Sequence, residues 1–170
     1  AINNQTILNV SRRGKFLILE LNHAFLLIHL RMSGDLIMRQ AEITPPLNAP
    51  LVAHDHVYLH FADNWHLAFN DTRKFGRIWL TPEPNTILGK LGPEPFDPKL
   101  TTDVFAKRLS QYKRQLKPLL LDQSFIAGLG NIYTDEALFE SKLHPKRPSN
   151  TLNSDDSGRL LHSIRKVLQL

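Results

Sequence analysis

Lys117-Pro118-Leu119-Leu120-Leu121-Asp122-Gln123, followed after four residues by Gly128-Leu129-Gly130-Asn131-Ile132-Tyr133, is the stretch whose reading decides the fold. The first string reads as a short helix from Pro118 to Gln123, with proline near the first turn, where a missing N–H costs little. The second reads as a turn opening a helix from Asn131 to Ser141, with Ile132, Leu138 and Phe139 apolar among polar neighbours. Glycines let the backbone turn closely, and a helix opening there aims unpaired N–H groups and a positive dipole end at an anion. For a bare Gly-x-Gly-Asn, an ordinary turn between packed helices is the simpler reading. Only the longer string favours a phosphate.

Outward from this centre, Leu160, Leu161, Ile164, Val167 and Leu168 share one helical stripe, with Ser154 or Asp155 as cap. Upstream, Thr102 or Asp103 can cap a helix reaching about Tyr112. The five prolines between Pro82 and Pro98 mark a domain boundary. Before it, short apolar runs such as Phe16 to Leu21, Ala24 to Leu30 and Val57 to Phe61 alternate with turn signals. Asn22-His23 and Asp63-Asn64 fit tight hairpin connections, and Ala41 to Pro50 reads as a surface loop. The expected fold is α+β: an antiparallel β-sandwich-like part over 1–81, a Pro-rich linker over 82–100, and an all-helical domain over 101–170.

The 170 residues suit one large domain or two small ones. No run approaches the roughly 18 apolar residues that cross a bilayer, and no secretory signal pattern opens the sequence. The expectation is therefore a cytoplasmic protein without membrane contact. Absence of cysteine excludes disulfides and thiolate-bound zinc within these residues. Lys and Arg number 21 against 16 Asp and Glu, a net charge of +5, which suits a polyanion partner. The cations cluster as Arg12, Arg13 and Lys15, as Arg73, Lys74 and Arg77, and as Lys107, Arg108, Lys113, Arg114 and Lys117. Each cluster fits a solvated surface as well as a phosphate track.

The string from Lys117 through Glu136 resembles the helix-two-turn-helix element of the formamidopyrimidine-DNA glycosylase and endonuclease VIII superfamily. Ser11-Arg12-Arg13-Gly14-Lys15, His29-Leu30-Arg31-Met32-Ser33-Gly34, His54-Asp55-His56-Val57 and Asp71-Thr72-Arg73-Lys74-Phe75-Gly76 follow in the same family's order. So do Leu91-Gly92-Pro93-Glu94-Pro95 and His144-Pro145. Several motifs in one order, over nearly the whole chain, identify a member of the family.

That resemblance implies DNA base-excision repair: removal of oxidised purines such as 8-oxoguanine or formamidopyrimidine from duplex DNA, then cleavage at the abasic site. It implies that Met32 and Arg73 fill the gap left by an extruded nucleotide while Phe75 wedges beside the opposite base. Extrusion costs stacking, so an apolar wedge with a hydrogen-bonding cation suits the task. Arg73 carries donors for the O2 and N3 acceptors of an unpaired cytosine. For Met32 and Phe75 the alternative is core packing, although Ser33-Gly34 and Gly76 favour exposed tips. By the same resemblance Lys15 lies near the reaction centre, where its ammonium holds a phosphate or moves a proton. His54, Asn131, Tyr112, Lys113 and Lys117 become DNA contacts. In a strand His54 and His56 would share a face, and a structural role for His56 stays open.

The pattern breaks at the ends. The family's nucleophile is an N-terminal proline followed by glutamate, whereas this chain begins Ala1-Ile2, and its zinc finger needs cysteines that are absent. An internal proline nitrogen is an amide without a basic lone pair, so nothing inside the chain replaces it. The expectation is an interior fragment, inactive by itself, monomeric and without cofactor, with zinc in the missing C-terminal finger of the parent. Its partner is double-stranded DNA with an oxidised base or abasic site. The competing readings are an endonuclease VIII-like glycosylase for oxidised pyrimidines, and a non-catalytic damaged-DNA-binding module if 1–170 is the whole protein.

Overall fold

In the first half of the chain, short runs rich in Leu, Ile, Val and Phe between turn-forming residues suit extended backbone, and they form strands. The computed structural model describes residues 2–40 and 52–169, so the loop read at Ala41 to Pro50 lies outside the described residues. Among the described residues, seven antiparallel strands form the first unit, Ala1–Glu83. β1 (Ile7–Arg13), β2 (Phe16–Leu21), β3 (Phe25–His29) and β7 (Arg77–Thr81) make a four-stranded sheet in the order β1-β2-β3-β7. β4 (Gly34–Gln40), β5 (Asp55–His60) and β6 (Trp65–Asp71) make a second sheet in the order β4-β6-β5.

The inward residues of both sheets meet in one core: Leu19, Leu21, Leu26 and Ile28 from the first sheet against Phe69, with Leu36 and Leu59, from the second. This is the expected sandwich. Asn22-His23 and Asp63-Asn64 do fall in short connections, closed by Leu21 N–H to the Ala24 carbonyl (2.8 Å) and Phe61 N–H to the Trp65 carbonyl (2.8 Å).

The second unit, Pro84–Leu170, is helical: α1 (Asn85–Leu88), α2 (Thr102–Ser110), α3 (Leu116–Leu120), α4 (Asn131–Glu140) and α5 (Ser154–Leu168), with a 3-10 turn at Ser149–Thr151. Its core joins Phe105 and Leu109 of α2, Leu116, Leu119 and Leu120 of α3, and Leu160, Leu161 and Ile164 of α5. α4 starts at Asn131 as expected, whereas α2, α3 and α5 start one residue or two before the expected positions. Thr101 caps α2 by accepting from Val104 N–H, and Asn153 caps α5 by accepting from Asp156 N–H. In each case the residue ahead of the expected cap is itself a good cap, and the helix takes the earlier one. α3 begins at Leu116 because Leu116 N–H and Lys117 N–H bond to the Arg147 and Pro145 carbonyls, which leaves Pro118 third in the helix.

The 82–100 segment, read from its prolines as a linker, folds into the helical unit from Pro84 onward. Leu88 is buried and Leu100 belongs to the helical core. Gly92 N–H bonds to the Gln123 carbonyl (2.9 Å), and Ala127 N–H bonds to the Pro93 carbonyl (2.9 Å). A Cβ on Gly92 would collide with the backbone carbonyls of Ser124 and Phe125, so glycine is required by close approach. The prolines rigidify a strap that backs the 121–130 turn.

Candidate functional site

In the first unit, the side chains singled out for DNA contact gather on the turns that join the strands. The β3–β4 turn carries Met32, 73% exposed, and the β6–β7 turn carries Arg73 and Phe75, the latter 55% exposed. Core packing of Met32 and Phe75 is thereby excluded. Arg73 reaches across with Nη1 3.6 Å from the Met32 sulfur, so a cation and two apolar tips form one projecting edge. Arg31, His54 and Lys74 have φ values of 60°, 71° and 59°, a left-handed conformation unfavourable for side-chain-bearing residues. Such backbone persists where surrounding bonds over-determine it.

Bonds from the β3–β4 turn, the β6–β7 turn and His54 converge on Asp71, which is fully buried. Its carboxylate accepts from the Ser33 hydroxyl (2.5 Å), Gly76 N–H (2.7 Å) and Arg73 N–H (3.2 Å). Its own N–H donates to the His54 carbonyl (2.9 Å). These bonds, the Ser33 hydroxyl and Gly76 N–H foremost, hold the Asp71 carboxyl below its ordinary range. Glycine fits closely here, because an added Cβ would meet the Phe69 ring.

His54 and His56 do not share a strand face. His54 sits in the turn before β5, and the pairing of β5 with β6 is irregular between Asp55 and Val57, which breaks the alternation. His56 Nε2 lies 2.8 Å from the Asp71 carbonyl, and since a carbonyl only accepts, that nitrogen carries the proton. His56 therefore has a structural contact, while the His54 side chain faces solvent.

Lys15 occupies the β1–β2 turn and is exposed as a residue. Partial burial of its ammonium, then the charge of Arg31, lower its pKa from the usual lysine value. His29, not singled out from sequence, belongs to this group. Its Nδ1 accepts from Arg31 N–H (3.1 Å), which puts the proton of the neutral ring on Nε2. Burial, then Arg31 and Lys15, push its pKa down. The cluster thus pairs a lysine that releases its proton more readily than usual with a neutral imidazole.

In the second unit, Gly128 has φ +103°, and Gly130 offers no side chain to cap α4, whose first turn is Asn131, Ile132 and Tyr133. Asn131 is exposed at this opening, whose N–H groups suit an external acceptor. Gln123 fixes the turn: its Oε1 accepts from Gly128 N–H (2.9 Å) and its Nε2 donates to the Leu129 carbonyl (2.8 Å). Nothing local in the sequence distinguishes Gln123 from a solvated polar residue.

The third basic cluster is largely committed within the protein. Arg108 donates to the Phe125 carbonyl (2.8 Å) and lies over the Phe125 ring, Arg114 pairs with Asp122 (2.7 Å), and Lys117 pairs with Asp135 (2.8 Å). Tyr112 turns its ring edge-on to Phe125, 5.5 Å between centroids, and is partly buried. Lys113 stays exposed. The aromatic ring that the resemblance assigned to DNA packs in part against the helical core.

Residues 1–78 match the formamidopyrimidine-DNA glycosylase N-terminal domain, and residues 91–170 match the H2TH domain of the same glycosylase. The chain is 44% identical over 171 residues to the formamidopyrimidine-DNA glycosylase of Protochlamydia amoebophila, covering 99% of this chain and 59% of that protein. For the enzyme of Lactiplantibacillus plantarum the identity is 43%, covering 95% and 58% respectively. A crystal structure of the Lactococcus lactis enzyme, non-covalently bound to DNA containing an AP site, superposes with a TM-score of 0.84 at 38% identity, over 97% of this chain and 63% of that one. The same enzyme in complex with Fapy-dG-containing DNA gives 0.84 at 37% identity, over 97% and 62%. The chain thus spans about 60% of the length of the relatives it matches. With both domains matched in order, and with the sandwich and the helical turn built as described, the chain belongs to the formamidopyrimidine-DNA glycosylase family.

Proposed function

We propose that this chain is the DNA-holding portion of a glycosylase that removes oxidised purines from duplex DNA and cleaves the abasic strand, acting in the bacterial cytoplasm. The observation that carries this reading is the exposed edge of Met32, Arg73 and Phe75. A flexible thioether and a guanidinium in contact, beside an aromatic wedge, match the hole and the unpaired base that nucleotide extrusion leaves. Asn131 and the opening of α4 supply a phosphate hold, to which exposed Lys113 adds charge. His54 contacts the backbone, and Lys15 either holds a phosphate or moves a proton at the abasic sugar. Tyr112 meets this surface with its ring packed edge-on to Phe125, and Lys117 must exchange Asp135 for a phosphate to take part.

The glycosidic bond breaks in this scheme by attack of a terminal secondary amine on C1′, a group that residues 1–170 do not supply. The 170-residue chain alone is therefore expected to form no covalent adduct with abasic DNA under borohydride. An adduct would show that one of its own amines reacts. Zinc does not fit these residues: the sequence has no cysteine, and among the described residues no group of three His, Cys, Asp or Glu side chains is arranged to hold a metal. Any zinc site of the whole protein is proposed to lie outside this chain, and no step here runs through it. No helix among the described residues is long and apolar enough to cross a membrane.

Excision by the whole protein from duplexes carrying 8-oxoguanine or thymine glycol separates the purine reading from an endonuclease VIII-like one. Faster release of 8-oxoguanine opposite cytosine is expected, and preference for thymine glycol contradicts the reading.

A further inference from the structure

We propose that Asp71 is a positioning residue that latches the DNA-reading turns of the first unit together, so that recognition of a gapped base pair depends on it while general DNA affinity does not. The proposal rests on the assignment of Met32, Arg73 and Phe75 to the gap. Ser33, Arg73 and Gly76 come from two turns about 40 residues apart in sequence, and one buried carboxylate accepts from all three. The Ser33 oxygen also accepts from Arg73 N–H (3.2 Å), so the residue after Met32 is tied directly to the backbone that projects Arg73. Through its main chain Asp71 bonds as well to His54 and His56. Every turn carrying a proposed gap-filling residue is therefore fixed to this position.

The chemistry explains why a carboxylate is needed. Three donors converge on two oxygens, and only an ionised carboxyl offers acceptor sites on both without placing a proton among them. A carboxylate held below its ordinary pKa stays ionised across the physiological range. Asparagine would turn an N–H toward Ser33 and Arg73 or toward Gly76, replacing at least one bond by a donor-to-donor contact. The turn from Thr72 to Gly76, which carries the left-handed Lys74, would lose carboxylate contacts that hold it at Arg73 or Gly76. A loosened edge retains its charge, and so its attraction to phosphate, but pays ordering entropy when it enters the gap.

Two measurements on the 170-residue chain test the latch. In the DNA-free protein, Ser33→Ala is expected to accelerate amide hydrogen exchange at Arg73 at least about fivefold, across the 40 residues separating them. In DNA binding, the preference for a duplex with a tetrahydrofuran abasic site opposite cytosine over undamaged duplex is expected to fall roughly tenfold in Asp71→Asn and about threefold in Ser33→Ala. Affinity for undamaged duplex, and its dependence on salt, is expected to stay within twofold or so in both variants. A merely structural role would weaken both duplexes together and so contradicts the proposal. If Asp71→Asn does not fold, Ser33→Ala decides. Unchanged exchange at Arg73 with unchanged preference overturns the latch. A wild-type chain with no abasic preference instead contradicts the assignment of the gap-filling edge, and the exchange experiment identifies which has failed.

Discussion

At the scale of single residues, Met32, Arg73 and Phe75 were legible through the family resemblance, and turn-forming Ser33, Gly34 and Gly76 favoured exposed tips over core packing for Met32 and Phe75. Asp71 was not legible. In Asp71-Thr72-Arg73-Lys74 a carboxylate looks like one more charge in a polar turn, and only its burial beneath three donors reveals what it does. His29 was hidden for the opposite reason, since a histidine closing an apolar strand reads as core. Its folded pKa lies below the ordinary value of 6.5, so between the two values the unfolded chain binds the extra proton. Stability of the first unit is therefore expected to rise with pH up to about 6.5 and to be lost below it. His29→Gln should flatten that slope, as urea unfolding at pH 5 and pH 7.5 checks. Gly76→Ala is expected to lower stability by about 1–3 kcal/mol, because the new methyl group meets the Phe69 ring. Thermal melting of the variant reads this directly.

At the scale of elements, strands and helices followed from periodicity, and the departures have local causes. α2 and α5 start earlier than expected because Thr101 and Asn153 outcompete their successors as caps. β5 loses its alternation at an irregular pairing that no residue type announces. The proline-rich segment looked like a linker because proline excludes regular structure, yet its backbone bonds to the 123–127 turn make it part of the fold. That turn is held by Asp122, whose carboxyl accepts from Ser124 and pairs with Arg114, taking its pKa down to about 2. Because the folded value is depressed, the associated stability is present above the ordinary carboxylate range and is lost as pH falls from about 4 to about 2. Asp122→Asn is expected to cost about 1 kcal/mol at neutral pH, the pair being partly screened by solvent. Acid titration followed by circular dichroism should show the two proteins converging near the low end of that range.

At the scale of the whole molecule, the basic character and its three clusters were visible in the sequence, but which cations stay available to a partner was not. Of the three clusters, the third spends much of its charge on carbonyls and carboxylates of its own unit. Fewer cations than the sequence suggests are therefore available to phosphate. The slope of log affinity against log salt is expected to correspond to roughly three to five phosphate contacts, and a slope near ten would mean that the internal pairs break on binding. The central claim is that the Met32–Arg73–Phe75 edge reads the gap in a damaged duplex, and the affinity of the 170-residue chain for abasic and undamaged duplexes, compared with Met32→Ala/Phe75→Ala, tests it most directly. The account predicts roughly tenfold or greater preference for the abasic duplex in the wild type, abolished in the double variant with little change on undamaged DNA. Equal affinity of the wild type for both duplexes, or an unchanged preference in the variant, would contradict it.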